Sequence, residues 1–241
     1  EHFKGGYRKE RKQDETFSFI LLPSLQKKIF LRYLDSVESI TLRDVFDAYM
    51  TSYFGAWVNY QNSYGQKKYI TAFTARLAMD KGNVDSFFEV YPDGRLISII
   101  RDPKNWFPSA LRHNEYIKRD KYTDMNLALS QWRESALTTL RNKETYGDNV
   151  CIIRFEDLIG KTEEVMRHLS NFLDIEFDDT LLTPTFNGFP IKANTSFESE
   201  QHGIMRSTLS RHKTLSDEDV KTIDTLTSNE YEMVLNQAAT F

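Results

Sequence analysis

Residues 91–112 read YPDGRLISIIRDPKNWFPSALR, a turn, an apolar strand and a polar helix start in immediate succession. Pro92, Asp93 and Gly94 supply the turn. Leu96, Ile97, Ile99 and Ile100 then make the near-continuous apolar run of a strand covered on both faces. The run stops at Arg101. Asp102 suits the N-cap of the following helix and Pro103 its first position, where no amide hydrogen is needed. This predicts Arg101 at the carboxyl end of a buried strand, the place where open α/β sheets bind their ligands. Ser109 follows eight residues later, about two turns into the helix, so a guanidinium fork and a hydroxyl can meet one phosphate. The bland alternative for the same residues is an ordinary Asp-Pro helix start, with Arg101 paired to a local carboxylate.

Working outward, residues 124–145 carry Met125, Leu129, Trp132, Ala136 and Leu140 at helical spacing, and 149–154 form a second buried strand containing Cys151. A helix over 163–173 turns Val165, Met166, Leu169, Phe172 and Leu173 to the core. Glu156 and Asp157 are read as caps after the strand. Ser216 with Asp219 starts a terminal helix, broken near Ser228-Asn229. Upstream, residues 68–74 read as a strand and 84–90 as a helix. Residues 17–35 make one helix bent at Pro23 or two short ones, and a helix capped by Thr41 and Asp44 carries a stripe from Leu42 to Trp57 and Tyr60. That aromatic stripe is read as core, with an acceptor pocket as the alternative. Strands separated by helices imply an α/β fold, a three-layer sandwich around a central parallel sheet.

The motif RDPKNWFPSA resembles the 3′-phosphate-binding signature of sulfotransferases that use 3′-phosphoadenosine 5′-phosphosulfate (PAPS), in which an Arg at a strand end and a Ser eight residues on hold that phosphate. Residues 149–173, NVCIIRFEDLIGKTEEVMRHLSNFL, are similar to the family's later strand, its acidic turn and the helix ending in Phe-Leu. Residues 188–216, with Gly188-Phe189-Pro190, Asn194 to Phe197 and Gly203-Ile204, are similar to its C-terminal segment. The resemblance covers residues 68–238 and implies a P-loop NTPase-like sulfotransferase architecture, with PAPS as donor and transfer of a sulfuryl group to an acceptor hydroxyl or amine. It implies donor binding by Arg101 and Ser109, and by Arg206 and Ser207 from a C-terminal stretch that folds over the nucleotide. His212 stands where the family commonly has Trp before the residue matched by Lys213. In several branches the strand matched by 68–74 ends in Lys-Thr-His or Lys-Thr-Pro; here Phe73-Thr74-Ala75 stands instead, leaving Thr74 and Arg76 as the substrate-binding groups and no residue assigned as the base. The glycine-rich loop that grips the phosphosulfate matches nothing before Arg101. Its strand is central in the family, and losing it would orphan buried backbone groups at about 1–3 kcal/mol each. The loop is therefore expected upstream of Glu1, in a missing segment or a second chain.

Bulk properties bound the rest. The 241 residues suit a single domain, 1–241, with a polar segment over 1–16 and a long loop or flap over 183–215. Gly5-Gly6 and the basic residues 8–12 lack the preceding strand and the Gly-Lys-Ser/Thr of a phosphate loop. With 31 basic against 35 acidic residues the net charge is −4, which offers nucleic acid or anionic lipid no general attraction, so an anion site must be local. The single cysteine allows no internal disulfide, and no apolar run approaches the ~18 residues of a membrane span, so a soluble, cytoplasmic protein is expected. The five histidines show no metal-ligand spacing with Cys151, so no metal is expected. A P-loop-fold kinase and a noncatalytic nucleotide-binding module are the other classes open to this sequence.

Overall fold

The computed structural model of the chain describes residues 20–58, 69–73, 77–117, 124–186, 189–190 and 203–241. The polar segment 1–16 and the predicted substrate groups Thr74 and Arg76 lie outside them. Two compact units are present, one of residues 1–74 with 89–92, the other of 75–88 with 93–241.

In the first unit, β1 (Ile20–Leu21) pairs antiparallel with β2 (Trp57–Val58), and helices α1 (Pro23–Leu34) and α2 (Leu42–Gly55) lie between them in sequence. Pro23 starts a helix instead of bending one, because its fixed φ suits the first position and Leu22 before it is extended. Trp57, which the periodicity assigned to a helix, is in a strand. Thr41 and Asp44 form the expected capping box: the Thr41 hydroxyl accepts from the Asp44 amide at 3.2 Å and the carboxylate accepts from the Thr41 amide at 2.9 Å. The Thr41 hydroxyl also donates to the Asp44 carboxylate at 2.5 Å, and this bond, with the one from the Thr41 amide, holds the carboxyl below its ordinary range. The stripe beyond them is only partly core. Ala48 and Ser52 are buried, while Leu42, Val45 and Phe46 are exposed. Residues 69–73 form no strand, and Phe73 is 94% exposed. An apolar run becomes a strand only where a neighbour completes its ladder, and none pairs with it among the described residues.

The second unit is built on a parallel pair, β3 (Leu96–Ile100) and β4 (Val150–Arg154), in register from Leu96 beside Val150 to Ile100 beside Arg154. Alternation sends Leu96, Ile100, Val150 and Ile152 to one face, where α3 (Lys81–Val90), α5 (Met125–Tyr146) and α8 (Asp217–Leu235) bring Val84, Phe88, Trp132, Ala136 and Val234 against them. Ile97, Cys151 and Ile153 face the other way, onto Val165 and Leu169 of α7 (Thr162–Leu173). Helices thus cover both faces of a small parallel sheet, and the protein is a helix-rich α/β fold. Burial of β3 departs from expectation: β4 is buried through four of its five residues, whereas only Ile100 of β3 is, and Ile99 is 54% exposed. No strand lies on the other edge of β3 among the described residues.

Asp124 caps α5, its carboxylate accepting from the amides of Asn126 and Leu127. Gly147 ends the helix at φ 50°, ψ −120°, a region that a Cβ disfavours. Gly147→Ala is therefore expected to cost about 1–3 kcal/mol, read as a lower urea midpoint at unchanged slope. The terminal helix runs unbroken through Ser228-Asn229, because the hydroxyls of Thr227 and Ser228 bond back to the carbonyls of Ile223 and Asp224 instead of competing for amides. The 183–215 stretch holds a two-residue hairpin, β5 (Thr185–Phe186) with β6 (Phe189–Pro190), and a run of 3₁₀ turns at Arg206–Thr214. Residues 187–188 and 191–202 of it lie outside the described chain.

Candidate functional site

Because Ile100 and Arg154 are register partners, β3 and β4 end side by side, and the residues that follow each strand meet. From β4 the chain turns directly into α6 (Phe155–Gly160), and from β3 into α4 (Pro103–Ile117). Asp102 caps α4 as expected: its carboxylate accepts from the Lys104 amide at 2.8 Å and its carbonyl from the amides of Asn105 and Trp106. On the opposite side of the exit, Trp132 Nε1 of α5 donates to the Arg101 carbonyl at 3.1 Å.

The Arg101 side chain meets three groups at this exit. Its guanidinium lies over the Phe155 ring, 4.5 Å from the centroid, donates through Nη1 to Ser109 Oγ at 3.1 Å and through Nη2 to the Thr208 carbonyl at 2.8 Å. The two groups that the sequence sets eight positions apart converge at the carboxyl ends of the strands. Two of the five N–H donors are engaged, and Nε is buried with no acceptor among the described residues. Burial pulls the guanidinium below its ordinary value, opposed by Glu156 and reinforced by the positive charge of Arg211. Arg211 is lowered in turn by burial and by Arg112. Arg211 is thus repelled by Arg101 and by Arg112, and an anion at Arg101 relieves both the first repulsion and the unmet donor capacity of Nε.

The Arg206–Thr214 segment is fastened to α4 by Asn105. Its buried Oδ1 accepts from the His212 amide at 3.1 Å and lies 3.1 Å from His212 Nδ1, a contact that requires the proton on Nδ1. Arg206 and Ser207, predicted by position, open this segment and are exposed. Its residues set against Arg101 are Thr208, through its carbonyl, and Arg211, through its charge. A 3₁₀ run has no apolar period to count along, so nothing in the spacing singled out Arg211. Asn105, Phe155 and Glu156 were missed for another reason: their partners are distant in sequence. Glu156, read as a cap, also reaches beyond its own helix. Its Oε1 accepts from the Asp102 amide at 3.2 Å, across the two strand ends.

Among the described residues no group of three His, Cys, Asp or Glu side chains is placed to hold a metal ion, and no helix is long and apolar enough to cross a membrane. Cys151 is buried, with Sγ 3.5 Å from His168 Nε2, and burial pushes its thiol up.

The model of the Sulfotransferase family matches residues 7–179, well over half of the chain. The chain belongs to the sulfotransferase family. The match takes in Arg101, Ser109 and the strand-to-helix turn at Phe155-Glu156, and stops before the C-terminal segment that holds Arg206 and Arg211. This sulfotransferase-family chain is also similar to protein-tyrosine sulfotransferase A of Caenorhabditis elegans, 25% identical over 95 residues that cover 39% of this chain and 25% of that protein's length. Among solved structures it is similar to the sulfotransferase domain from the curacin biosynthetic pathway, with a TM-score of 0.52 at 17% identity over 86% of this chain and 79% of that domain. The structural likeness carries the fold. Residues 7–179 reach further towards the N-terminus than the 68–238 over which the family motifs were recognised in the sequence.

Proposed function

We propose that this sulfotransferase-family chain moves a sulfuryl group from PAPS to an acceptor hydroxyl or amine. The observation that carries the reading is the 3.1 Å contact of Arg101 with Ser109 at the strand ends, with donor capacity to spare. In this reading the nucleotide's 3′-phosphate lies between the Arg101 guanidinium and the Ser109 hydroxyl, and Arg211 adds a second positive charge. Arg206 and Ser207, exposed at the start of the same segment, are assigned to the nucleotide as it enters. The acceptor atom bonds to sulfur as the bond from sulfur to the 5′-phosphate oxygen breaks; the acceptor's proton passes to a base and adenosine 3′,5′-bisphosphate leaves. The 3′-phosphate takes no part in that exchange. Its binding energy serves to fix the donor, so that the reacting atoms meet in line.

The loop that grips the phosphosulfate is assigned to sequence preceding β3, outside the described residues. Support comes from β3, whose outer edge has no strand partner among the described residues and whose Ile99 is exposed. Thr74 and Arg76 are assigned to the acceptor side. Similarity to a protein-tyrosine sulfotransferase favours a phenolic hydroxyl as acceptor.

The test is a pair of measurements. The wild-type chain is expected to transfer radiolabelled sulfate from PAPS to a tyrosine-containing peptide. Ser109→Ala is expected to weaken binding of adenosine 3′,5′-bisphosphate about tenfold, the worth of one hydrogen bond to a charged group, and to leave adenosine 5′-monophosphate unchanged. Equal affinity of the wild type for the two nucleotides contradicts the assignment.

A further inference from the structure

Beside the anion site stands an acid that the phosphate-binding role leaves unexplained. Glu156 Oε1 accepts from the Asp102 amide at 3.2 Å, which bonds the start of α6 to the exit of β3 at the very residue after Arg101. Phe155, its neighbour, forms the platform beneath the guanidinium. The other carboxyl oxygen, Oε2, is buried and finds no hydrogen-bond donor among the described residues. A buried carboxylate with one empty oxygen is costly, and it is set where a ligand of its own charge is to bind. If position alone were needed, a neutral amide would accept from Asp102 equally well.

We propose that Glu156 is a positioning residue of the anion site: its carboxyl holds the exit of β3 so that Arg101 faces Ser109, and its occupancy by a proton is coupled to occupancy of the site by an anion. The inference rests on the reading of Arg101 and Ser109 as a phosphate site. With the site empty, the carboxylate balances the guanidinium at the strand exit. When a phosphate arrives, the guanidinium turns its charge to the ligand, and the carboxylate, facing a second anion, takes a proton from solvent onto the empty oxygen.

The groups that face Glu156 set the sign. Asp102 across the strand ends opposes its charge, Arg101 on the same side and Arg154 at the end of β4 favour it, and Tyr231 of α8 lies close by. Arg154 is itself shared with Asp157, 3.7 Å away. Burial raises the Glu156 carboxyl above its ordinary value, with its own backbone amide, the Asp102 amide and Arg101 opposing, and burial pushes Tyr231 up to about 12, so the phenol keeps its proton. An added anion raises the carboxyl further, so binding takes up protons. Affinity should therefore grow as pH falls through the range just above the ordinary carboxylate value.

The experiment is calorimetry of the wild-type chain with adenosine 3′,5′-bisphosphate in two buffers of different ionisation enthalpy, repeated on Glu156→Gln and Glu156→Ala. Using one ligand throughout cancels the phosphate's own titration in the difference between variants. The wild type is expected to take up more protons on binding than Glu156→Gln, whose affinity should meet the wild type's at low pH and exceed it as pH rises, giving a flatter pH profile. Glu156→Ala leaves the Asp102 amide without its acceptor and should bind the bisphosphate about tenfold more weakly, with the 5′-monophosphate unchanged. If Glu156→Ala does not fold, Glu156→Asp takes its place, because its shorter arm withdraws the oxygen from Asp102 while keeping the charge. Equal proton uptake by the wild type and Glu156→Gln, or wild-type affinity in Glu156→Ala, overturns the proposal and leaves the phosphate site standing. Failure of the wild type to prefer the bisphosphate overturns both.

Discussion

Replacing Arg101 by alanine is expected to weaken binding of adenosine 3′,5′-bisphosphate about a hundredfold, while affinity for adenosine 5′-monophosphate stays within about twofold. The magnitude follows from removing a fork that makes two charge-assisted bonds in a partly desolvated place, each worth about 1.5–3 kcal/mol. Part of the loss is indirect. The guanidinium also donates to the Thr208 carbonyl at 2.8 Å, and without it the Arg206–Thr214 segment is held to α4 chiefly by Asn105. Arg101→Lys separates the two contributions, because it keeps the charge and loses the fork that reaches Ser109 and Thr208 together. It should recover only part of the affinity. Equal weakening for both nucleotides in Arg101→Ala contradicts a role specific to the 3′-phosphate.

The largest expected effect on stability lies one layer behind the site. Trp132 is 4% exposed, meets Tyr231 edge to face with centroids 5.9 Å apart, packs in the cluster of Val84, Ile100, Val150 and Ile152, and donates to the Arg101 carbonyl. Trp132→Ala is expected to cost about 3–5 kcal/mol in urea unfolding, the sum of lost burial and a cavity that packed neighbours cannot close. Trp132→Phe keeps most of the apolar contact and drops the bond to Arg101, so its cost should be nearer 1 kcal/mol. A Trp132→Ala protein less than 1 kcal/mol below the wild type would mean that this cluster does not carry the fold.

What the sequence made legible was local. The Pro92-Asp93-Gly94 turn, the run from Leu96 to Ile100, the Asp102-Pro103 start and the caps at Thr41 and Ser216 are decided within a few residues, and the structure has each in place. Ser109 belongs with them, since a helix fixes where a residue eight positions on must lie. What stayed hidden was settled by distant partners. Trp57 has helical spacing but pairs with Leu21, and residues 69–73 have a strand's composition but no ladder to join. The bond from Asp102 to Glu156 spans 54 positions and exists only because Ile100 and Arg154 share a register. Arg211 was passed over for Arg206 because counting along an irregular segment cannot say which arginine turns inward; its charge is felt at Arg101 only once Asn105 has docked His212.

The exposed edge of the site has a physical logic. Arg101, Arg112 and Arg211 lower one another's affinity for protons in sequence, Arg112 acting on Arg211 and Arg211 on Arg101, while the chain as a whole carries a net charge of −4. Local positive potential on an acidic protein selects a small anion over a polyanion, because distant charges repel what the site attracts.

The most direct test is a crystal structure of the chain with adenosine 3′,5′-bisphosphate. The expected result is a 3′-phosphate oxygen within about 3 Å of an Arg101 guanidinium nitrogen and another within about 3 Å of Ser109 Oγ. A bisphosphate bound elsewhere, with the contact between Arg101 and Ser109 undisturbed and no phosphate against either, contradicts the account.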